Sequence, residues 1–311
     1  MKYHKLGQTG WQISTLSLGA SSFGGAHGPV VEKECVRTVR TALDGGINFL
    51  DTAPYDGAER AEEVLGKCLK GVPRSRYYLA GRVGRPKGSS KEHDFSAEAI
   101  MQGVDRSLRN LRVAHFDLLL CQDIEFTTVR ELKEDVLPAF RKLRQQGKVH
   151  KIGLTGFSLK AFRQVLQELT VDVVMPYGHY CLHNTTLVQM FPFLQSKAVG
   201  VLNAAPFGMG LLTEKGPPKW HPAPAVVRDA CLKALAHARK KKGNVAKLAL
   251  QFAVTNSGFA STVFSTGHLK KLKEAVRWLE QPFDLELFAE MQEILRPIQN
   301  QSWHSGRKEY Q

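Results

Sequence analysis

Asn48-Phe49-Leu50-Asp51-Thr52-Ala53-Pro54-Tyr55-Asp56-Gly57 sets the pattern of this chain: a short apolar run, a carboxylate at its end, then a turn carrying Pro and Gly. Such a run, bounded by turn residues, reads as a buried strand. Working outward, the same unit recurs at residues 16–20, 48–51, 77–82, 116–122, 151–155, 171–176, 200–205 and 261–265. Between these runs, residues 31–43, 60–69, 97–111 and 129–145 carry apolar side chains at helical spacing, with Gly45-Gly46 and Gly147 where helices should stop. Strands alternating with helices imply an α/β fold, most economically a closed (β/α)8 TIM barrel. Residues 3–14 read as an N-terminal β-hairpin turning at Gly7-Gln8-Thr9-Gly10 and covering the barrel bottom. No repeat or linker divides the chain, so residues 1–311 are expected to form one domain, with 281–311 packed over the mouth or hanging free. A doubly wound two-domain sheet would need G-x-G-x-x-G after the first strand, and Gly24-Gly25-Ala26-His27-Gly28 is spaced differently.

Composition narrows the function classes. Five cysteines (35, 68, 121, 181 and 231) lack C-x-x-C or Cys/His metal spacing, so they read as reduced thiols rather than disulfide or zinc partners. The polar N-terminus and the lack of any run of about 18 apolar residues point away from secretion and membranes, toward the cytoplasm. The net charge of +14 attracts anions without naming one. The densest basic run, residues 239–242, closes an apolar-periodic helix and lacks interleaved aromatics, which argues against a specific nucleic-acid site. In barrels of this kind the chemistry sits at the C-terminal ends of strands. That rule selects Asp51, Arg82, Gln122, Thr155 and the residues after Ala205.

The stretch 48–57 and the stretch D-L-L-L-C-Q-D (117–123) resemble the aldo-keto reductase family. In that family the strand ending in Asp is followed five residues on by a Tyr that donates a proton to the substrate carbonyl; here that place is Asp56. The Lys that strengthens the Tyr as an acid would fall at Arg82, and a His at Gln122, so Asp51 alone of the four is retained. In the L-galactose dehydrogenase-like branch, where D-T-S-P-Y-Y-G is usual, Gly57 stays in register and Tyr55 matches the first Tyr of the pair. The resemblance implies hydride transfer between a nicotinamide cofactor and a carbonyl, yet an ionised Asp56 cannot supply the proton. Arg82 stays charged and its fork favours carboxylates. An Asp51-Arg82-Asp56 cluster is therefore expected. It could close the old site as an ion network, or Arg82 and Gln122 could bind an acidic or amide-bearing small molecule. Crowded carboxylates could also raise one pKa into the range of a general acid, or Tyr55 could reach into the vacated place.

Residues 147–157 resemble the family signature whose Ser-Asn pair holds the nicotinamide carboxamide; Thr155 and Gly156 stand there, the usual pair of the branch. Residues 200–222 resemble the same branch, and the resemblance implies that Pro206, Phe207, Gly208, Gly210 and Leu211 wrap the pyrophosphate, with Tyr177 also at the cofactor. It further implies that Ser265, Thr266, Gly267, Lys271 and Glu274 hold the adenosine end, although Ala275 replaces the family's Asn. A helix N-terminus there suits a phosphate, and Lys270 and Lys273 tilt the expectation to NADP(H). His179 is a substitute base or a structural residue. The leading expectation is a NADP(H)-binding protein whose carbonyl reduction is lost or replaced. The alternative is a pseudoenzyme serving as ligand sensor or protein-binding module.

Overall fold

The computed structural model describes residues 1–25, 28–85 and 92–311, so Ala26 and His27 of the glycine-bearing loop lie outside the described residues. An antiparallel hairpin, β1 (Tyr3–Lys5) and β2 (Gln12–Ser14), precedes the barrel. The barrel strands are β3 (Leu16–Gly19), β4 (Phe49–Asp51), β5 (Tyr78–Val83), β6 (Phe116–Cys121), β7 (Val149–Gly156), β8 (Val173–Pro176), β9 (Gly200–Ala204) and β10 (Ser261–Ser265). They close in sequence order, β10 pairing in parallel with β3.

Alternation along the strands sorts the core into two layers. Phe49, Ala80, Leu118, Leu120, Val173, Met175 and Leu202 fill the barrel, and Leu6 and Ile13 of the hairpin join this cluster. The hairpin can come this close because Gly7 takes a positive φ of 49° and a Cβ there would lie 2.4 Å from the Gly200 nitrogen. Outside the strands, Leu18, Leu50, Leu79, Leu119 and Leu154 meet the helical layer.

That layer consists of α1 (Glu32–Asp44), α2 (Arg60–Leu69), α3 (Ala97–Leu111), α4 (Val129–Glu131), α5 (Leu137–Gln145), α6 (Leu159–Glu168), α7 (Phe191–Ser196), α8 (Ala225–Lys240), α9 (Val245–Ala253), α10 (Leu269–Glu280) and α11 (Leu285–Leu295). The single helix expected over 129–145 is interrupted by a π turn at Leu132–Val136. Pro138 has no N–H to return to the residue four back, so the turn before it widens. The C-terminal region divides: α11 packs on α8 through Leu287, Met291 and Leu295, whereas residues 302–311 run along the rim of the mouth. No helix among the described residues is long and apolar enough to cross a membrane.

Gly66 sets the distance between α2 and α3, because a Cβ there would lie 2.4 Å from the Asn110 carbonyl oxygen and 2.9 Å from that of Leu111. Gly66→Ala, a change that favours an exposed helix, is expected here to lower stability by about 1–3 kcal/mol in urea unfolding. An unchanged or higher stability would contradict this packing.

Candidate active site

The barrel register brings Asp51, Arg82 and Gln122 to neighbouring strand ends: Asp51 lies opposite Ala80, Arg82 opposite Leu120, and the Gln122 N–H donates to the Val83 carbonyl at 2.8 Å. Arg82 donates to Asp51 twice, from Nε to Oδ1 at 3.1 Å and from Nη2 to Oδ2. Asp51 is only 3% exposed, so this is a buried fork-to-carboxylate pair.

Asp56 follows in the loop after β4. Gly57, at φ 61°, rests directly on Gly24 of the turn after β3, where a Cβ would come within 2.3 Å of the Gly24 Cα, and this backbone contact fixes the loop. Of the expected Asp51-Arg82-Asp56 cluster, hydrogen bonding joins Asp51 and Arg82 and does not include Asp56. The Asp56 carboxyl has no hydrogen-bond partner among the described residues, and burial pushes its pKa up to about 6 against the pull of Arg82. The Gln122 side-chain amide is likewise without a hydrogen-bond partner among the described residues, although Gln122 is buried. Tyr55 does not reach into the vacated place. It is half exposed and its ring lies 3.6 Å beneath the Arg85 guanidinium.

Two acidic residues that the sequence reading did not assign complete the mouth. Asp123, buried and left-handed at φ 56°, accepts from Arg85 Nη1 at 3.0 Å and from the Tyr177 hydroxyl at 3.1 Å, holding that ring in place. Its only signal in sequence was its position directly after Gln122. Glu125 is fully buried; Oε1 accepts from the Phe157 N–H at 3.0 Å and from Ser305 Oγ at 3.1 Å, while Oε2 has no partner among the described residues. Burial pushes its pKa up to about 7. A Cβ at Gly156 would lie 2.3 Å from Oε2, so any side chain there would have to displace this carboxylate. The tail is tied to the same place: the Arg307 N–H donates to the Glu125 carbonyl at 2.8 Å and Trp303 stacks on Phe157.

The other cofactor candidates fall around this mouth. Thr155 Oγ1 donates to the Met175 carbonyl at 2.7 Å, leaving its lone pairs to accept. In the loop after β9, the N–H groups of Gly208, Gly210 and Leu211 are already bonded within the loop, to Ala205, Phe207 and Gly208, so Pro206–Leu211 stands folded on itself. At the start of α10, Ser265 Oγ is shared with Ser22, Thr266 Oγ1 caps the His268 N–H at 3.2 Å, and the Leu269 N–H donates to Glu34 Oε1 at 3.2 Å. Gly267 lies against Cys35, Lys271 is exposed, and Glu274 lines the cleft between α1 and α10. His179 contacts the Phe157 carbonyl and Thr186 Oγ1, and burial lowers its pKa to about 4, so the ring is neutral at pH 7.

One group of possible metal ligands, His115, Asp117 and His150, lies at the opposite end of the barrel. Its carboxylate is already committed, because Asp117 Oδ2 accepts from Arg74 and from the Leu79 N–H.

A closed parallel barrel with Asp51, Arg82, Gln122 and Asp123 gathered at one mouth defines the class, and the sequence comparison defines the family: the aldo/keto reductase family pattern matches residues 15–296, and the chain belongs to that family. It is 42% identical over 310 residues to an L-galactose dehydrogenase of Arabidopsis thaliana, covering 97% of this chain and 96% of that protein. A D-threo-aldose 1-dehydrogenase of Pseudomonas is 24% identical over 311 residues, covering 91% and 94%. In fold, the chain superposes on an aldo-keto reductase from Bacillus halodurans in its holo form with a TM-score of 0.78, at 24% identity, covering 99% and 100% of the two chains.

The raised pKa of Asp56 makes its charge a liability above pH 6. The folded state holds the proton up to about pH 6 and the unfolded chain only to about 3.8, so stability falls as pH rises through that window. Asp56→Asn is therefore expected to stabilise the protein at pH 7.5 by up to about 3 kcal/mol, with the gain gone by about pH 4. Thermal unfolding across that range checks it; an equal gain at both ends, or none at pH 7.5, would contradict it.

Proposed function

We propose that this chain binds a nicotinamide dinucleotide at the barrel mouth and has lost ordinary carbonyl reduction, keeping at most a non-standard oxidoreductase reaction. The observation that carries this reading is the double hydrogen bond from Arg82 to Asp51. It commits the guanidinium to a carboxylate at the place where the family's Lys would activate a Tyr, and the Tyr position itself holds Asp56.

The residues fit the dinucleotide at the ring end: Thr155 offers an acceptor, and Tyr177 presents a ring held by Asp123. Bound there, the nicotinamide would exchange hydride with a substrate carbon. This chain's own part would be the proton. With a pKa near 6, Asp56 is mostly ionised at neutral pH and takes a proton rather than giving one. That suits an alcohol, whose O–H proton passes to Asp56 as its C–H hydride leaves to the oxidised dinucleotide. The Gln122 amide would position the oxygen of a small polar, acidic or amide-bearing molecule. The names of the relatives agree in direction, both being dehydrogenases of sugars. Of the two dinucleotides, Lys270, Lys271 and Lys273 speak for NADP(H), and the Glu34 carboxylate on the Leu269 amide speaks against it. A second reading, a ligand sensor or protein-binding module without turnover, is favoured by the self-bonded loop after β9.

Fluorescence titration with NADH and NADPH should show saturable binding, and simple aldehydes should be reduced roughly 10²–10⁴ times more slowly than by a relative with an intact proton donor. The combined change Asp56→Tyr, Arg82→Lys and Gln122→His should restore measurable reduction where single changes do little, because such groups act as a unit. Ordinary aldehyde turnover by the unmodified protein would refute the reading, and absence of dinucleotide binding would leave the second one.

A further inference from the structure

The pleat of the sheet places three side chains of metal-ligating type together at the end of the barrel remote from the mouth. Leu118 and Leu120 of β6 point into the barrel, so Asp117 points outward, as Leu119 and Cys121 do. His115, two residues earlier, shares that parity from just before the strand. On β7, Ile152 and Leu154 face the helical layer, and His150 takes the same side. The register sets Phe116 against Val149 and Leu118 against Lys151, which puts Asp117 across from His150. The rings of His115 and His150 lie 4.3 Å apart between centroids, and one ligand atom from each of the three residues lies within 4.8 Å of the others.

The hydrogen bonding leaves those atoms free. Asp117 Oδ2 is taken by Arg74 and by the Leu79 N–H at 2.7 Å, which fixes the orientation of the carboxylate and leaves Oδ1 over. Oδ1 stands 3.7 Å from His150 Nδ1, too far for a hydrogen bond. Neither imidazole has a hydrogen-bond partner among the described residues. Arg74, the cation beside the group, is held by its own acceptors: Nη1 donates to the Tyr77 carbonyl at 2.7 Å, and Nη2 is shared between Asp117 Oδ2 and the His115 carbonyl at 3.4 Å. Lys148 and Lys151, on either side of His150, are paired with Asp105 and Asp172.

We propose that His115, His150 and Asp117 Oδ1 bind one divalent transition-metal ion of the zinc class. Two imidazoles and one carboxylate oxygen suit zinc, nickel or copper, whereas magnesium and calcium ask for oxygen ligands. Zinc takes such atoms at about 2.0–2.2 Å. Gathering the three donors to that distance takes turns of the two rings, and His150 is exposed and His115 partly so, while Asp117 stays anchored. Water fills the remaining positions on the solvent side. The ion would clamp the first residues of β6 to those of β7 and stabilise the folded chain by its binding. The charge of Arg74 opposes it, so the affinity falls below that of a closed four-ligand site.

The test uses the full chain, stripped with a chelator and dialysed, and zinc chloride alone as probe, read by titration calorimetry and by melting temperature. One equivalent should bind and raise the melting temperature by several degrees at about a hundredfold excess over Kd, and magnesium chloride should leave it unchanged. His150→Ala, at an exposed position, should melt like the unmodified protein without zinc and bind zinc at least about tenfold more weakly. His115→Gln should weaken binding as much; if that variant does not fold, the calorimetry of His150→Ala decides alone. Absence of zinc binding by the unmodified protein would overturn the inference. So would binding that survives His150→Ala, the mark of an adventitious site elsewhere among the 11 histidines and 5 cysteines. A loss confined to one of two folded variants would overturn it as well, since that is the behaviour of a single surface histidine.

Discussion

The Asp51–Arg82 pair is the contact around which the rest of the mouth is arranged. β4 and β5 are neighbours in the barrel, so a carboxylate and a guanidinium at their ends meet face to face. Removing one member of a buried pair typically costs about 3–5 kcal/mol, since the other is left charged and unpaired. A lysine in the same place could turn its single ammonium toward a phenol, whereas the planar fork is satisfied by one carboxylate and stays charged. Asp56 is left beside the pair with no side-chain hydrogen bond among the described residues, and burial raises its pKa.

A second acidic system fixes the opposite rim. Asp123 holds Arg85 and the Tyr177 ring, and Arg85 in turn covers Tyr55. Glu125 occupies the space beside Gly156 and anchors the final residues through Ser305 and the backbone of Arg307. Carboxylates thus line the mouth on both sides, Asp51 and Asp56 on one and Asp123 and Glu125 on the other. At the start of α10 another carboxylate, that of Glu34, accepts the Leu269 N–H.

The sequence made the barrel and the neighbourhood of Asp51, Arg82, Gln122 and Thr155 legible, because strand ends follow from local apolar runs and the register is set by closure. The bounds of α2 and α3 agree with the helical spacing residue for residue, at Arg60–Leu69 and Ala97–Leu111. The π turn before Pro138 was not legible, since apolar periodicity survives one extra residue in a turn. Nor were the partners of Asp123, Glu125 and Glu34. Each meets a group more than thirty residues away, as Glu34 does at Leu269, and no local pattern records such a meeting. Tyr55 was misjudged for a related reason: the cation that claims it, Arg85, follows a different strand.

The central claim is that Asp51 and Arg82 now act as one structural unit, which a double-mutant cycle measures directly. Stabilities of the unmodified protein, Asp51→Asn, Arg82→Met and the combined variant would be taken from urea unfolding at pH 7. Each single change should cost about 3–5 kcal/mol and the combined change clearly less than their sum, with a coupling of at least about 2 kcal/mol. Additive losses, or an Arg82→Met variant as stable as the unmodified protein, would contradict the account.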